Sequence, residues 1–174
     1  MECKLDGTIR IMDITYSSSV DGTGFRDVLF VNYCPHHCEG CHNMQTWDKK
    51  NGREVLLEEV YQNLTKSSIT NVTYSGGEPF EQAHQLAELS RKLRANTKKT
   101  IWVYSGYTFE QIVADEEKRE LLELCDVLVD GKFDKTKTKL NLRFKGSTNQ
   151  RILDVKESLK QGKPCELDID QFGI

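Results

Sequence analysis

The chain has 174 residues, which is enough for one domain with a substantial hydrophobic core. Its 24 basic and 27 acidic side chains give a net charge of -3, which excludes the strongly positive surface expected of a protein that binds nucleic acid or anionic membranes. No apolar run of about 18 residues is present, so we expect no transmembrane helix. The first residues also lack a signal-peptide pattern, and we expect a cytoplasmic protein whose thiols stay reduced.

Apolar, β-rich segments alternate with amphipathic segments along the chain. Strands are predicted at 27–33, 69–75, 100–106, 126–131 and 151–155. Helices are predicted at 53–66 and 81–96, in two short pieces with the N-caps Thr108 and Asp115, and in a last turn at 156–162. The polar segment 134–150 is predicted to be a loop.

This alternation of strands and helices indicates βαβ units and a mostly parallel sheet, which is an α/β fold. A complete eight-stranded α/β barrel needs about 250 residues, more than this chain has. A doubly wound sheet and an incomplete barrel are therefore the two candidates. Both bind ligands at the carboxyl ends of their strands, so a site is expected at that edge of the sheet.

Each of the first four predicted strands is followed by an unusual motif. A cysteine cluster follows the first strand, and "SGGEP" (75–79) follows the second. "SGY" (105–107) and "DGK" (130–132) follow the third and the fourth. Because the carboxyl ends of parallel strands meet at one edge, these motifs are predicted to converge on a single site.

The cysteine cluster, "NYCPHHCEGCHN", has the spacing Cys34-x3-Cys38-x2-Cys41. Three interpretations are open: a structural zinc site, a thioredoxin-like dithiol at the last two cysteines, or an iron–sulfur cluster held at three corners with its fourth iron free. Zinc would need a fourth ligand, for which the loop offers three histidines: His36, His37 and His42. These histidines are equally compatible with solvent-facing loop positions.

The other cysteines are not expected to bind a metal. Cys125 ends an apolar helix face and is predicted to be a small buried residue. Cys3 and Cys165 lie near the ends of the chain, and no spacing pairs them with another thiol.

The segment "SGGEP" combines two glycines with a carboxylate. Consecutive glycines permit a positive φ and let a ligand approach bare backbone. Glu78 and the nearby carbonyls would together form an acceptor cluster that suits a cation such as a protonated amine. The alternative is an ordinary turn that leads into a helix, with Pro79 at the first helical position.

Four further residues are secondary candidates for contacts with a ligand or partner: Arg26, Tyr107, Asp130 and Lys132. Exposed structural positions explain them equally well. A Gly-x-Gly segment before an arginine is typical of a solvated turn, and an Asp and a Lys two residues apart are typical of an exposed charge pair.

These motifs together resemble those of the radical S-adenosylmethionine (SAM) enzymes. The cysteine spacing is similar to the cluster motif of that superfamily, and "SGGEP" is similar to its Gly-Gly-Glu motif. "DGTGFRDVLFVNYCPHHCEGCHNMQTW" (21–47) resembles the N-terminal signature of the enzymes that activate glycyl-radical enzymes. Three later segments resemble the small activases of anaerobic ribonucleoside-triphosphate reductase: "WVYSGYTFEQI" (102–112), "DVLVDGKF" (126–133) and "FKGSTNQRILDV" (144–155).

The resemblance implies an incomplete β/α barrel of the radical SAM type, as a single domain over residues 1–174 with its core at about 13–160. It implies a [4Fe–4S] cluster held by the thiolates of Cys34, Cys38 and Cys41, with SAM bound to the open fourth iron. For the remainder of SAM it implies two sets of contacts. The amine would be held by the Gly76 and Gly77 backbone and the Glu78 carboxylate, and the adenine by the backbone of Gly40, Cys41 and His42.

The implied activity is that of an oxidoreductase that reductively cleaves SAM and uses the 5′-deoxyadenosyl radical to make a glycyl radical on anaerobic ribonucleoside-triphosphate reductase. An electron donor such as flavodoxin is implied as well. The cofactors carry this chemistry, so no side-chain acid or base is expected. Two alternatives stay open: a radical SAM enzyme that acts on a small molecule, and a non-enzymatic zinc or iron–sulfur binding module.

Two positions depart from the superfamily pattern. The residue before the third cysteine is often aromatic, but here it is Gly40, which is usual in the reductase activases. The residue before the first cysteine is often glycine, but here it is Tyr33. The second departure concerns the backbone shape of the loop and leaves its ligands unchanged.

Overall fold

The computed structural model describes residues 4–172, so Cys3 and the ends of the predicted domain lie outside the described residues. Within this range the chain forms one seven-stranded sheet of β1 (Thr8–Ser18), β2 (Arg26–Val31), β3 (Arg53–Leu56), β4 (Asn71–Gly76), β5 (Ile101–Tyr104), β6 (Val127–Asp130) and β7 (Arg151–Asp154). The helices are α1 (Leu57–Leu64), α2 (Ala83–Asn96), α3 (Phe109–Val113), α4 (Glu116–Glu123) and α5 (Val155–Gln161). None of the helices within residues 4–172 has the length and apolar character needed to span a membrane.

The sheet has the strand order β3-β1-β2-β4-β5-β6-β7. Its four central strands, β2, β4, β5 and β6, pair in parallel. The outer strands β1, β3 and β7 pair antiparallel. The predicted α/β class is therefore confirmed, with parallel pairing confined to the middle of the sheet.

The two amino-terminal outer strands are the main departure from the predicted elements. No strand was predicted at β1, whose second half is largely exposed and therefore lacks a clear alternation of apolar and polar residues. β3 lies inside the predicted helix 53–66, and it pairs with the start of β1 before α1 begins at Leu57. The apolar residues Val55, Leu56, Val60 and Leu64 fit a helical period only because they run across this strand–helix junction.

The short helices begin where the sequence predicted. The Thr108 side chain accepts from the Gln111 amide, and the Gln111 side chain accepts from the Thr108 amide, which together form a capping box at α3. Asp115 caps α4 by accepting from the Lys118 amide at 3.0 Å. Both N-caps are confirmed.

The two faces of the sheet are covered differently. The main apolar core lies between one face and the helices, and it includes Cys125, which is buried as predicted. Successive residues of a strand point to opposite faces, so Trp102, Val127, Val129 and Ile152 form a second, smaller cluster on the other face. This second cluster packs against Phe144, Leu167 and Ile169 from the loop after β6 and the carboxyl-terminal segment. Among the described residues, this cluster is therefore covered by a loop and by a segment that includes the 3-10 helix Ile169–Phe172, and not by α1 to α5.

Candidate functional site

The loops that follow the four parallel strands enclose a cavity of about 130 Å³ at the carboxyl edge of the sheet. Three thiols line it: Cys34, Cys38 and Cys41. The other three loops contribute Ser75, Gly76, Gly77, Ser105, Gly106 and Gly131 to its walls. All four motifs that were predicted to converge thus reach one cavity. A larger open cleft of about 600 Å³ lies beside α2, and the described residues that line it are mainly polar and charged and include no cysteine.

The three thiols are free and partly buried. Burial is the main cause that raises the pKa of Cys34 to about 11, and burial also raises the pKa of Cys38. The loop between the thiols is closed by the Cys41 amide, which donates to the Cys38 carbonyl at 3.1 Å. Reduced, partly desolvated thiols on one cavity are the donor set of an iron–sulfur cluster, whose metal charge compensates the thiolates.

Zinc with a histidine ligand fits the described residues less well. Within residues 4–172, no group of three or more His, Cys, Asp or Glu side chains is arranged to hold a single metal ion. The three histidines of the loop also have other contacts. His36 binds Glu78, the His37 ring stacks on Trp47 at 4.5 Å, and the His42 ring lies 5.4 Å from the Phe133 ring.

The loop before the first thiol turns at Tyr33, which has a φ of +81°. This left-handed conformation is the one that glycine adopts at low cost, which fits the glycine that the superfamily pattern led us to expect here. The Tyr33 amide donates to the Thr46 carbonyl at 2.6 Å, and its ring lies 4.5 Å from the Lys49 ammonium. The departure from glycine therefore preserves the turn and imposes strain on one residue.

The Gly-Gly segment is joined to this same turn. The Gly77 amide donates to the Val31 carbonyl, and the Glu78 amide donates to the Tyr33 carbonyl, both at 2.8 Å. A Cβ on Gly76 would lie 2.7 Å from the Val31 backbone, and one on Gly77 would collide with the Tyr33 carbonyl. Close packing of two backbones thus requires both glycines, while both still line the cavity.

The Glu78 carboxylate is fully buried and accepts four hydrogen bonds. Oε1 accepts from Phe80 N and Ser105 Oγ, at 3.1 and 2.8 Å. Oε2 accepts from Gly106 N and His36 Nε2, at 2.8 and 2.6 Å. Since both oxygens are occupied by protein donors, the geometry favours an internal role for this carboxylate over the direct contact with the SAM amine that the resemblance implied.

His36 is the residue of this site that sequence reasoning missed. Its side chain is only 6% exposed, although a solvent-facing position was one of its two expected environments. The ring lies edge-on to Tyr107, with 4.5 Å between ring centroids. A Cβ on Gly106 would collide with the imidazole, so this glycine makes room for the ring. No periodic pattern could have paired His36 with a carboxylate 42 residues away.

Gly40 and His42, the residues expected to lie along the adenine, are not among the residues that line the cavity in the described part of the chain. Gly40 has a φ of +77° and faces Lys135 and Phe133. His42 is exposed and lies beside the same phenylalanine. Cys41 between them is thus the member of this trio that lines the cavity.

Two of the secondary candidates are structural. Arg26 was expected at an exposed or ligand-binding position, but it is fully buried at the amino edge of the sheet, far along β2 from the thiols. It donates to Thr73 Oγ1 and to the carbonyls of Val72 and Thr100, at 2.7 to 2.9 Å. Burial lowers its pKa to about 10. The expectation of exposure was wrong because no carboxylate is needed when carbonyls and hydroxyls satisfy the guanidinium.

Asp130 is buried as well, so the expected exposed pair with Lys132 does not form. The carboxylate accepts from the Phe109 amide at 2.7 Å and from Arg151, which ties the start of α3 to β6 and β7. Lys132 is exposed, whereas the Tyr107 hydroxyl donates to Glu81 at 2.6 Å. Neither Lys132 nor Tyr107 lines the cavity within the described residues.

Residues 20–153 match the family model described as a 4Fe-4S single cluster domain. An anaerobic ribonucleoside-triphosphate reductase-activating protein from Enterobacteria phage T4 is 37% identical over 139 residues, which are 76% of this chain and 86% of that protein. The proteins of the same name from Vibrio cholerae and Escherichia coli K12 are 36% and 32% identical over 141 residues, 76% of this chain and 90% of each relative.

The chain belongs to the family of anaerobic ribonucleoside-triphosphate reductase-activating proteins. This confirms the family resemblance found in the sequence, and the family-model match supports the iron–sulfur character that the resemblance implied. The fold is also similar to that of QueE from Escherichia coli, with a TM-score of 0.50 and 18% identity over 58% of this chain and 53% of that one. That likeness concerns the fold alone.

Proposed function

We propose that this chain binds a [4Fe–4S] cluster and SAM and generates a glycyl radical on anaerobic ribonucleoside-triphosphate reductase. One observation carries the proposal: three reduced thiols share a cavity with the backbone of a Gly-Gly segment at the carboxyl edge of a parallel sheet. The names of the relatives support the reductase as the target, since each is named as the activating protein of that enzyme.

In this proposal Cys34, Cys38 and Cys41 hold three irons, and the absence of a fourth thiol leaves room for SAM. The Gly76 and Gly77 backbone holds the SAM amine, and the backbone from Gly40 to His42 lies along the adenine. When bound, these cofactors supply the radical chemistry: one electron splits SAM into methionine and a 5′-deoxyadenosyl radical, which takes a hydrogen atom from a glycine of the reductase. The protein itself holds and orients the cluster and SAM and shields them from water.

The fold supports a protein substrate. We propose that the sheet is a partial β/α barrel and that residues 1–174 act as a single radical SAM domain. The thiol-bearing cavity lies among the loops at the carboxyl edge of an open sheet, not inside a closed barrel, and a cavity at such an edge suits a glycine loop of a large partner. We place the reaction in the cytoplasm, with a flavodoxin-like protein as electron donor.

The deciding experiment combines cluster analysis with spin resonance. The chain is purified without oxygen, reconstituted with iron and sulfide, reduced in the presence of SAM and mixed with the reductase. The expected result is about four irons per chain and a glycyl radical signal on the reductase that requires SAM. A reductase whose radical glycine is replaced by alanine is the matched control and should show no signal.

The rival functions give different results in the same experiment. A colourless protein that retains one zinc would replace the proposal by a metal-binding module. Cleavage of SAM without a radical on the reductase, together with turnover of a small molecule, would replace it by a small-molecule enzyme. The electron donor is tested by substituting a reduced flavodoxin for the chemical reductant, and an unchanged radical yield supports it.

A further inference from the structure

Glu78 is the point at which three loops of the carboxyl edge meet. Its carboxylate takes one hydrogen bond from the cysteine loop through His36, and two from the loop after β5 through Ser105 and Gly106. Its own amide is bonded to the Tyr33 carbonyl, one residue before the first thiol. Glu78 therefore links all three loops through buried hydrogen bonds.

The contact between His36 and Glu78 joins Nε2 to Oε2 at 2.6 Å. We assign the proton to Nε2, so that the imidazole donates to the carboxylate oxygen as the other three partners of Glu78 do. The surrounding residues hold the ring in this position. Tyr107 contacts it edge-on, and Gly106 leaves the space that a Cβ would fill.

The position of His36 gives this contact its consequence. The residue lies between Cys34 and Cys38, so a hydrogen bond from its ring anchors the stretch of loop that carries both thiols. His36 also lines the cavity, as do Gly76 and Gly77. The hydrogen bond that holds this ring thus also holds the thiols in position relative to the backbone of Gly76 and Gly77.

We propose that His36 and Glu78 form a positioning pair, in which the carboxylate acts through the imidazole to hold the cysteine loop in register with the Gly-Gly segment. The pair orients the cluster ligands toward the bound SAM, and the Glu78 carboxylate does not itself contact SAM. This inference rests on the proposed function, because it needs a cluster and SAM in the same cavity. Residues that orient metal ligands in this way typically change affinity or activity by about 10- to 100-fold when replaced.

Three variants test the pair. His36→Phe keeps a ring of similar size but removes the donor, and Gly106→Ala displaces the imidazole without removing any hydrogen-bonding group. His36→Gln restores an N–H donor at a similar reach. His37→Phe is the matched control in the same loop, because phenylalanine keeps a ring stacked on Trp47 and His37 makes no hydrogen bond to Glu78 among the described residues.

The measurements are iron content, the dissociation constant of SAM by calorimetry on the reconstituted protein, and the spin-resonance line shape of the reduced cluster with SAM. For His36→Phe and Gly106→Ala we expect SAM to bind about tenfold more weakly or the iron content to fall, with an altered line shape. His36→Gln and His37→Phe should resemble the wild-type protein. The melting temperature of the metal-free chain is measured alongside.

A purely structural role would lower the melting temperature of His36→Phe while leaving the SAM affinity and line shape of the folded, loaded protein unchanged, and this result would overturn the proposal. Equal defects in His36→Gln and His36→Phe would overturn it as well. Failure of the proposed function is distinct, since it would appear in the wild-type protein as a missing cluster or as no radical on the reductase.

Discussion

Two buried charges, one at each edge of the sheet, join neighbouring segments of the chain in the same manner. At the amino edge, Arg26 at the start of β2 donates to a hydroxyl and to carbonyls at the starts of β4 and β5. At the carboxyl edge, Glu78 accepts from loops that follow β2 and β5. Each side chain is fully buried, and its hydrogen bonds join its own segment to two others.

The difference lies in what each network presents to its surroundings. The partners of Arg26 are strand and loop atoms that belong to no thiol-bearing cavity within the described residues. One partner of Glu78 is a side chain between two cysteines, and that side chain lines the cavity. Burial and charge alone therefore do not distinguish a structural hydrogen-bond network from one that serves a site. The distinction lies in whether a partner of the buried charge also lines the cavity.

The largest expected effect tests the carboxyl edge directly. Replacement of Cys34, Cys38 or Cys41 by alanine should abolish the cluster, because each removes one of the three thiolates that hold it. Iron and sulfide content and visible absorption after anaerobic reconstitution provide the measurement. Cys125→Ala is the control, since that thiol is buried in the core and bonds to the Leu121 carbonyl. A Cys34→Ala protein with the full iron and sulfide content would show that the thiols at the carboxyl edge of the sheet do not hold the cluster.

The next effect tests the amino edge. Arg26→Met should lower the free energy of unfolding of the metal-free chain by about 3 kcal/mol, because buried carbonyls lose their donors. Urea titration measures this change. Iron bound per folded chain should equal that of the wild-type protein, since the guanidinium is at the edge remote from the thiols. Loss of iron without loss of stability would show that the two networks are not separate.

A smaller effect isolates the turn that precedes the first thiol. At Tyr33, glycine should be more stable than alanine by about 1 kcal/mol, because alanine keeps the cost of the positive φ and glycine does not. Both variants lose the contact of the ring with Lys49, so their difference removes that contact from the comparison. Thermal unfolding of the two variants gives the measurement, and equal stabilities would mean that the turn relaxes without strain.

The smallest effect concerns a charge that belongs to neither network. Glu58 accepts from Lys92 and from the Leu5 amide, both at 2.8 Å, and the hydrogen bond from Lys92 is the main cause that lowers the pKa of this carboxyl. A lowered pKa in the folded state stabilises the fold above the pKa of the unfolded chain, and this contribution is lost as the pH falls through the lowered value.

Glu58→Gln should therefore cost about 0.5 kcal/mol at neutral pH, in the range of surface ion pairs, and nothing at acidic pH. Urea titrations of both proteins at several pH values measure the difference. A gap that stays constant with pH would show that the contribution of Glu58 is not electrostatic.

The central part of the fold was predictable because β2, β4, β5 and β6 are short apolar runs that end in glycine-bearing or cysteine-bearing loops. The rule that such ends share one edge of a parallel sheet was sufficient to bring the four motifs together. β1 and β3 were not predicted, because antiparallel outer strands carry a weaker apolar pattern and because β3 continues directly into α1.

Side-chain environments were less accessible to sequence reasoning than the position of the site. Arg26 and Asp130 were expected to be exposed because charged residues are rarely buried without partners, and their partners come from distant segments. The pairing of His36 with Glu78 depends on the same tertiary contacts. The residue types and spacings of the cavity were visible in the sequence, whereas the hydrogen bonds between its loops were not.

Two hydrogen bonds extend the pairing of β2 with β4 into the loops that follow these strands. The register of the two strands therefore sets the relative positions of the loops that line the cavity. Val31 faces Gly76 in the ladder, and the next contacts join Val31 to Gly77 and Tyr33 to Glu78. An insertion or deletion of one residue within β2 would shift the loop that follows it, and Cys34 with it, by about 3.3 Å relative to Gly76 and Gly77. The distance between the thiols and the Gly-Gly backbone is therefore set by the number of residues in the strand.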